Sequence, residues 1–289
     1  MTSSKTALML KTAFGVLLVS VSLAVISCKE ERPAPNIEHK IVPGMAYVPA
    51  GNFVMGSKGT VERQGQDGGD GVIGEQVGVD ELPQRKAALE KGFYIDILET
   101  TNAEYKKFVD AAGHRTPDNP THDYDPYIWK NGTYPKGLEE YPVALVNYDD
   151  AAAYCKWQGK RLPTEEEWEK SCRGEDGARW PWGMAFDQTK ANTRALELKR
   201  SAIAGGFPDD KSRYGVLDMS GNVREWTSSW YKPYPGSSLK RETFGEQFRV
   251  IRGGSWVHMP YPESRCASRG ISLPDVRHRS IGVRCAKDE

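Results

Sequence analysis

The sequence predicts an irregular α+β domain with few helices, short strands and many loops. Three observations predict it. Glycine, tryptophan and tyrosine are plentiful, at 29, 8 and 13 of 289 residues, which suits a loop-rich fold filled by aromatic side chains. Helical periodicity is confined to short windows between Thr101 and Cys172. Beyond Gly174, short apolar pieces alternate with Gly, Pro, Asn and Ser to the end of the chain. No internal repeat and no second domain boundary is visible. A single domain of this length buries a sizeable core unaided. Lys+Arg and Asp+Glu number 39 each, and the resulting zero net charge argues against a nucleic-acid binder.

The N-terminus reads as an export signal rather than as part of that domain. Lys5 and Lys11 precede an apolar run from Ala13 to Ile26. The run is shorter than the ~20 residues a spanning helix needs. It ends in Val25-Ile26-Ser27-Cys28, which looks like a bacterial lipobox, with cleavage before the cysteine and lipid on it. The expected organisation is a signal peptide over 1–27, a tether over 28–40 and the globular domain over 41–289. Residues Lys29 to Glu38 are charged and Pro-containing, as a tether is. Lys29 and Glu30 are not the aspartate of inner-membrane retention, which favours the periplasmic side of the outer membrane.

The elements follow in order. Ile41 to Gly56 suggests a short strand pair turning at Gly51-Asn52. Lys58 to Asp80, rich in Gly, Asp and Gln, reads as an exposed loop. Phe93 to Asp96 is a strand. Thr101 and Glu104 form a capping box for a helix burying Tyr105, Phe108, Val109 and Ala112. Val143 to Val146 reads as another strand. A second helix opens at Asp149-Asp150, runs through Trp157 and stops at Gly159. Pro163 and a Thr164–Glu167 capping box start a third, carrying Trp168 and Cys172.

Five cysteines are present: Cys28, Cys155, Cys172, Cys266 and Cys285. Setting Cys28 aside for lipid leaves four, and an even number in an exported chain predicts two disulfides. Spacing alone leaves all three pairings open. A metal cluster is disfavoured, because no CxxC pair occurs and no cysteine has a histidine at ligand spacing.

Several ordered blocks together resemble one family. They include Met55-Gly56-Ser57, Phe93-Tyr94-Ile95-Asp96, Glu99-Thr100-Thr101-Asn102, Ala152-Ala153-Tyr154-Cys155 and Gly159 to Glu169 (GKRLPTEEEWE). Pro181-Trp182-Gly183, Asp218 to Thr227 (DMSGNVREWT), Arg252-Gly253-Gly254-Ser255-Trp256 and Gly282-Val283-Arg284-Cys285 continue the match. From about residue 43 to 286 the chain resembles the formylglycine-generating enzyme, or sulfatase-modifying factor, family. The resemblance implies a modified C-type-lectin-like fold. Independently of it, Arg161, Glu167 and Glu169 read as a buried charge network, because interior charges survive when paired. The tryptophans of the blocks read as core aromatics.

By position, the resemblance implies a structural calcium ion held by the side chains of Asp218 and Glu225 and the carbonyls of Gly221 and Val223. Two carboxylates around a Gly-containing turn suit that hard cation. The bland alternative has Asp218 capping backbone N–H groups and Glu225 pairing with an arginine. A weaker second calcium site would begin at Asn192 and Thr193. The resemblance also implies the pairings Cys155–Cys285 and Cys172–Cys266.

Active members use two cysteines to bind copper(I), activate oxygen and oxidise a sulfatase cysteine. Those two positions hold His258 and Tyr261 here, and no thiol lies between Cys172 and Cys266. Copper is therefore not expected, and neither is formylglycine-generating oxidase activity. An imidazole and a phenol offer metal binding or proton transfer instead. His278 sits in a basic stretch, Arg277-His278-Arg279. His114 and His122, with Asp123 and Asp125, supply ligand residue types after the first helix, at a spacing that is not diagnostic. Two functions follow as expectations. One is a membrane-anchored binding, assembly or envelope-maturation factor, tethered to a bacterial membrane by Cys28 and engaging an envelope protein or peptide. The other is a protein-modifying oxidoreductase using a non-cysteine site around His258.

Overall fold

A computed structural model describes residues 40–59, 78–118 and 127–289 of the chain. The signal segment, Cys28, the tether before Lys40, most of the expected loop from Lys58 to Asp80, and His122, Asp123 and Asp125 lie outside the described residues.

Strand β1 (Met45–Val48) and strand β2 (Gly51–Met55) follow one another closely but do not pair. This corrects the expected hairpin. Gly51-Asn52 opens β2 instead of turning the chain. Strand β2 pairs with β3 (Arg85–Leu89), an element the sequence pattern did not suggest. Strand β1 pairs with β4 (Phe93–Asp96), in register Met45 to Asp96 and Val48 to Phe93. A one-turn 3-10 helix at Val79–Glu81 leads into β3.

The helices start where their caps predict. In α1 (Asn102–Ala112), Thr101 accepts from Glu104 N and Glu104 answers to Thr101 N, so two orphan donors are satisfied reciprocally. Tyr105, Phe108 and Val109 are buried, but Ala112 is exposed, because the helix turns away from the core in its last turn. In α2 (Tyr148–Trp157) the box is Asn147 with Asp150. Gly159, at φ 68°, supplies the left-handed residue after it. In α3 (Glu165–Arg173) the box is Thr164 with Glu167.

Val143 to Val146 is buried yet forms no strand. Leu145 takes φ 60°, which breaks extended geometry, and Val143 N bonds instead to Thr100 O. The remaining strands are β5 (Arg224–Trp230), β6 (Arg249–Arg252), β7 (Gly270–Ser272), β8 (Ile281–Gly282) and β9 (Ala286–Asp288). They build a four-stranded sheet in the order β7-β6-β5-β8 and extend the first sheet to β1-β4-β9.

Two apolar clusters fill the space between these sheets and the helices. One joins Tyr105, Phe108 and Tyr154 of α1 and α2 to Trp226, Ile251 and Val283. The other joins Trp168 and Cys172 of α3 to Val48, Phe93, Ile95 and Met219. Trp168, Trp180 and Trp226 are fully buried. Removing each ring from water contributes about 4 kcal/mol or more by area. A disulfide crosses each cluster. Cys155–Cys285 fastens α2 to the chain before β9, and Cys172–Cys266 fastens α3 to the chain before β7. Both span 5.6 Å between Cα atoms, within the range such bridges need. The implied pairings are those found.

Candidate functional site

The turn from Asp218 to Val223 feeds directly into β5, and its conformation follows from its residues. Asp218 and Asn222 take left-handed φ values of 58° and 53°, which short Asx side chains tolerate. Gly221 is at φ 95°, and a Cβ there would lie 2.4 Å from the carbonyl of Asn192. Only glycine lets the two segments approach. Asn192 Nδ2 donates to Asn222 Oδ1 (3.1 Å), and Asn222 N donates to Asn192 O (2.8 Å). The two stretches expected to hold calcium are thus adjoining parts of one region. Asn192 Oδ1 and Thr193 Oγ1 are buried and have no hydrogen-bond partner among the described residues.

Glu225 pairs with an arginine. Arg284 donates from Nε and Nη2 to its two oxygens at 2.7–3.0 Å, and Trp168 Nε1 donates at 2.6 Å. Arg284 and Glu225 are both fully buried. Asp218 Oδ2 accepts from Gly205 N at 2.5 Å. Two further carboxylates that the sequence did not flag complete the surroundings. Glu99 accepts from Asn222 Nδ2 (2.5 Å) and Val223 N (3.1 Å). Asp210 Oδ2 accepts from Ser220 N (3.1 Å), while its buried Oδ1 has no partner among the described residues.

Burial, reinforced by the neighbouring carboxylates, pushes Glu99 and Asp210 well above the ordinary carboxyl range. Burial pushes Asp218 up to about 6, against the pull of Gly205 N and Arg284. Four buried carboxyl groups therefore lie near one guanidinium, and burial disfavours full ionisation of the set. Among the described residues, no group of three or more His, Cys, Asp or Glu side chains is gathered in metal-holding geometry. Among the described residues here, the buried side-chain oxygens without a hydrogen-bond partner are Asp210 Oδ1, Asn192 Oδ1 and Thr193 Oγ1, a hard-donor set.

His258 and Tyr261 sit in the turns after β6 and enter different surroundings. His258 is half-buried. Its Nδ1 is 2.6 Å from Ser255 Oγ, and its carbonyl accepts from Arg194 N (2.9 Å). Burial, then the charges of Arg224 and His278, holds the imidazole well below its usual value, so it is neutral at pH 7. Arg224, at the start of β5, is itself buried, which pulls its guanidinium down to about 10. Tyr261 lies under Arg265, whose guanidinium carbon is 5.5 Å from the ring centroid, and it lines a separate cavity. All four cysteines of the described residues are in the two disulfides. A soft cuprous ion finds no thiolate, and the imidazole in its place is bonded to a serine beside a buried cation. The residues do not fit copper.

The remaining predicted groups are engaged in hydrogen bonds and ion pairs. Arg161 forks onto Glu167 (2.6 and 2.7 Å) and reaches Asp288, half exposed. Glu169 belongs to a different network, with Arg173 (2.7 Å), Gly56 N (2.7 Å) and Arg252. The expected single network of Arg161, Glu167 and Glu169 is therefore two. Helix geometry explains the split, since residues two apart face opposite sides. Glu165 with Arg269 (2.7 and 2.8 Å) and Glu81 with Arg265 (2.7 and 3.0 Å) extend the second set. His114 bonds to Asp150 (2.8 Å) and packs on Phe108, which closes the end of α1. His278 Nδ1 is 2.7 Å from Ser280 Oγ.

A family model described as the sulfatase-modifying factor enzyme 1-like domain matches residues 30–289. The formylglycine-generating enzyme of Mus musculus is 33% identical, over 89% of this chain and 77% of that protein. The inactive C-alpha-formylglycine-generating enzyme 2 of Mus musculus is 30% identical, over 95% of this chain and 94% of that protein. Among solved structures, PvdO from Pseudomonas aeruginosa is similar with a TM-score of 0.64 at 28% identity, over 85% of this chain and 94% of that one.

Proposed function

The chain belongs to the sulfatase-modifying factor family, and from that premise we propose that it is a binding, assembly or envelope-maturation factor without cysteine-oxidase activity. One observation carries the reading. Every cysteine of the described domain is closed in a disulfide, while His258 and Tyr261, at the two thiolate positions by resemblance, contact Ser255 and Arg265 respectively. The family's oxidation needs a thiolate pair, so the scaffold persists here without its reactive centre. Similarity across nearly its whole length to an inactive C-alpha-formylglycine-generating enzyme 2 supports the same direction.

The domain hangs from a bacterial membrane, on the periplasmic side of the outer membrane, by lipid on Cys28, and its partner is an envelope protein or peptide. The signal-like run ending at Cys28 supports the anchor. Calcium, where bound, is structural. Asp218, with the carbonyls of Gly221 and Val223, would hold it, with Glu225 shared between the ion and Arg284. A second ion would sit against Asn192 and Thr193. The ion would favour the ionised form of the buried carboxyl groups.

Metal analysis of the purified full chain tests the reading. Calcium without copper is the expected result. Stoichiometric copper or iron that disappears in His258→Ala would overturn it and favour a protein-modifying oxidoreductase acting through a non-cysteine site. The 33% identity to the formylglycine-generating enzyme of Mus musculus is the observation behind that second reading. For the anchor, Cys28→Ser should move the chain from the membrane to the soluble fraction. Continued membrane association would contradict it.

A further inference from the structure

A cavity of about 450 Å³ opens between the chain after β2 and the chain after α3. Its walls include residues flanking both halves of the Cys172–Cys266 bridge. Its charged lining is Lys58, Arg173, Arg179 and Arg265, against the single carboxylate of Asp176. These charges are not equivalent.

Arg173 is fully engaged, by Glu169, Gly56 O, Gly177 O and Ala178 O. Arg265 forks onto Glu81, but its buried Nε has no partner among the described residues. Asp176 is turned to solvent in a weak surface pair with Arg213. Lys58 and Arg179 are exposed, and among the described residues no carboxylate pairs with either. The cavity thus presents two uncommitted cations. The phenol of Tyr261 stands on the same wall.

One side of the cavity is apolar. Met184, 62% exposed, also lines a neighbouring hollow with Trp182 and Phe186. Trp182 is held in place by stacking on the buried Trp180, with centroids 5.7 Å apart and planes at 8°. A cationic cavity therefore continues, through one methionine, into a pre-set aromatic shelf. Arginine beside aromatic and methionine side chains is the composition that recognition surfaces favour.

We propose that this surface binds an acidic peptide segment. One carboxylate is held by Arg179 and Lys58, and a neighbouring apolar side chain lies on Met184, Trp182 and Phe186. Arginine's planar fork matches a carboxylate. An inorganic anion would leave the aromatic shelf unused. A nucleic acid would call for a cationic excess that this neutral chain lacks. The proposal rests on the binding and maturation reading and specifies the chemistry of the partner.

The test uses the purified full chain and a fluorescent peptide of alternating glutamate and phenylalanine, followed by anisotropy. Its twin carries glutamine for glutamate. The acidic peptide is expected to bind about tenfold or more tighter than the twin, and to weaken as salt is raised. Arg179→Glu and Lys58→Glu should each weaken it about tenfold, and Met184→Ala severalfold. All three side chains are exposed, so the fold is preserved, and Lys136→Glu on another part of the surface serves as the control. No binding, equal binding of the twin, or unchanged affinity in Arg179→Glu would overturn the proposal. Such a failure would leave the parent reading standing. That reading falls on a different result, the oxidation of a cysteine peptide, whether or not the probe binds.

Discussion

The buried pair of Glu225 and Arg284 gives the sharpest stability prediction. Arg284 is fully enclosed and donates to both oxygens of Glu225. It also donates to the carbonyls of Asp96, Ile97 and Leu217, each at 2.8 Å. Arg284→Met fills most of the volume but leaves Glu225 with Trp168 alone and takes a donor from three carbonyls, of which Ile97 O keeps Leu217 N. Removing one partner of a buried pair costs about 3–5 kcal/mol. A domain of this kind has roughly 5–15 kcal/mol in total. The variant should therefore lose roughly a fifth or more of its stability, read by urea unfolding on tryptophan fluorescence at pH 7.5. A double variant checks the cause. Glu225→Gln in the same background removes the charge left without its partner and should restore part of the loss. A cost below about 1 kcal/mol, or no restoration by Glu225→Gln, would refute the assignment of Arg284 as the charge partner.

Four further outcomes are expected. The bridges Cys155–Cys285 and Cys172–Cys266 close separations of 130 and 94 residues, so replacing either pair by serine should cost about 4–5 kcal/mol; mass spectrometry should find no free thiol in the oxidised domain. Without a cation, burial holds Asp218 at about 6, above its unfolded value, so its contribution is greatest at low pH and falls as pH rises through about 6, by on the order of 3 kcal/mol. Calcium should accordingly raise the melting temperature more at pH 7.5 than at pH 5, and an equal effect at both would count against the ion. The His258 imidazole is held below its usual value, so its contribution is complete above about pH 6.5 and is lost as pH falls through that value, by up to about 1.4 kcal/mol per pH unit; the difference between wild type and His258→Gln in acid unfolding isolates it. Gly221→Ala should fold poorly, because its Cβ would meet the Asn192 carbonyl at 2.4 Å in a left-handed backbone, and a melting temperature equal to wild type would contradict this.

What the sequence made legible was local. The boxes at Thr101 and Thr164 fixed helix starts, because cap and answering residue are three positions apart. The strand at Phe93 and the glycine stop after Trp157 were equally short-range. Long-range pairing was hidden. Strand β3 is RKAAL, whose alternation is too weak to announce itself without its partner β2. Val143 to Val146 read as a strand because it is apolar, but φ at Leu145 takes it out of extended geometry. The buried ion pairs join residues far apart in sequence, Glu81 to Arg265 and Glu225 to Arg284, so spacing alone does not show which arginine meets which carboxylate. Asp210 lies in a Pro-Asp-Asp-Lys stretch that resembles an exposed turn, yet it is buried. At the candidate site, Asp218, Gly221 and Glu225 lie together in one family block, whereas the carboxylates of Glu99 and Asp210 come beside them only through the fold.

The account's central claim is a family scaffold without the family's oxidation. Its most direct test incubates the purified full chain with a sulfatase-derived cysteine peptide, copper and oxygen, and follows the peptide by mass spectrometry. The peptide cysteine should remain unconverted with wild type, while an active family member under the same conditions generates formylglycine. Conversion by wild type would contradict the claim and place an oxidising centre among residues other than cysteine.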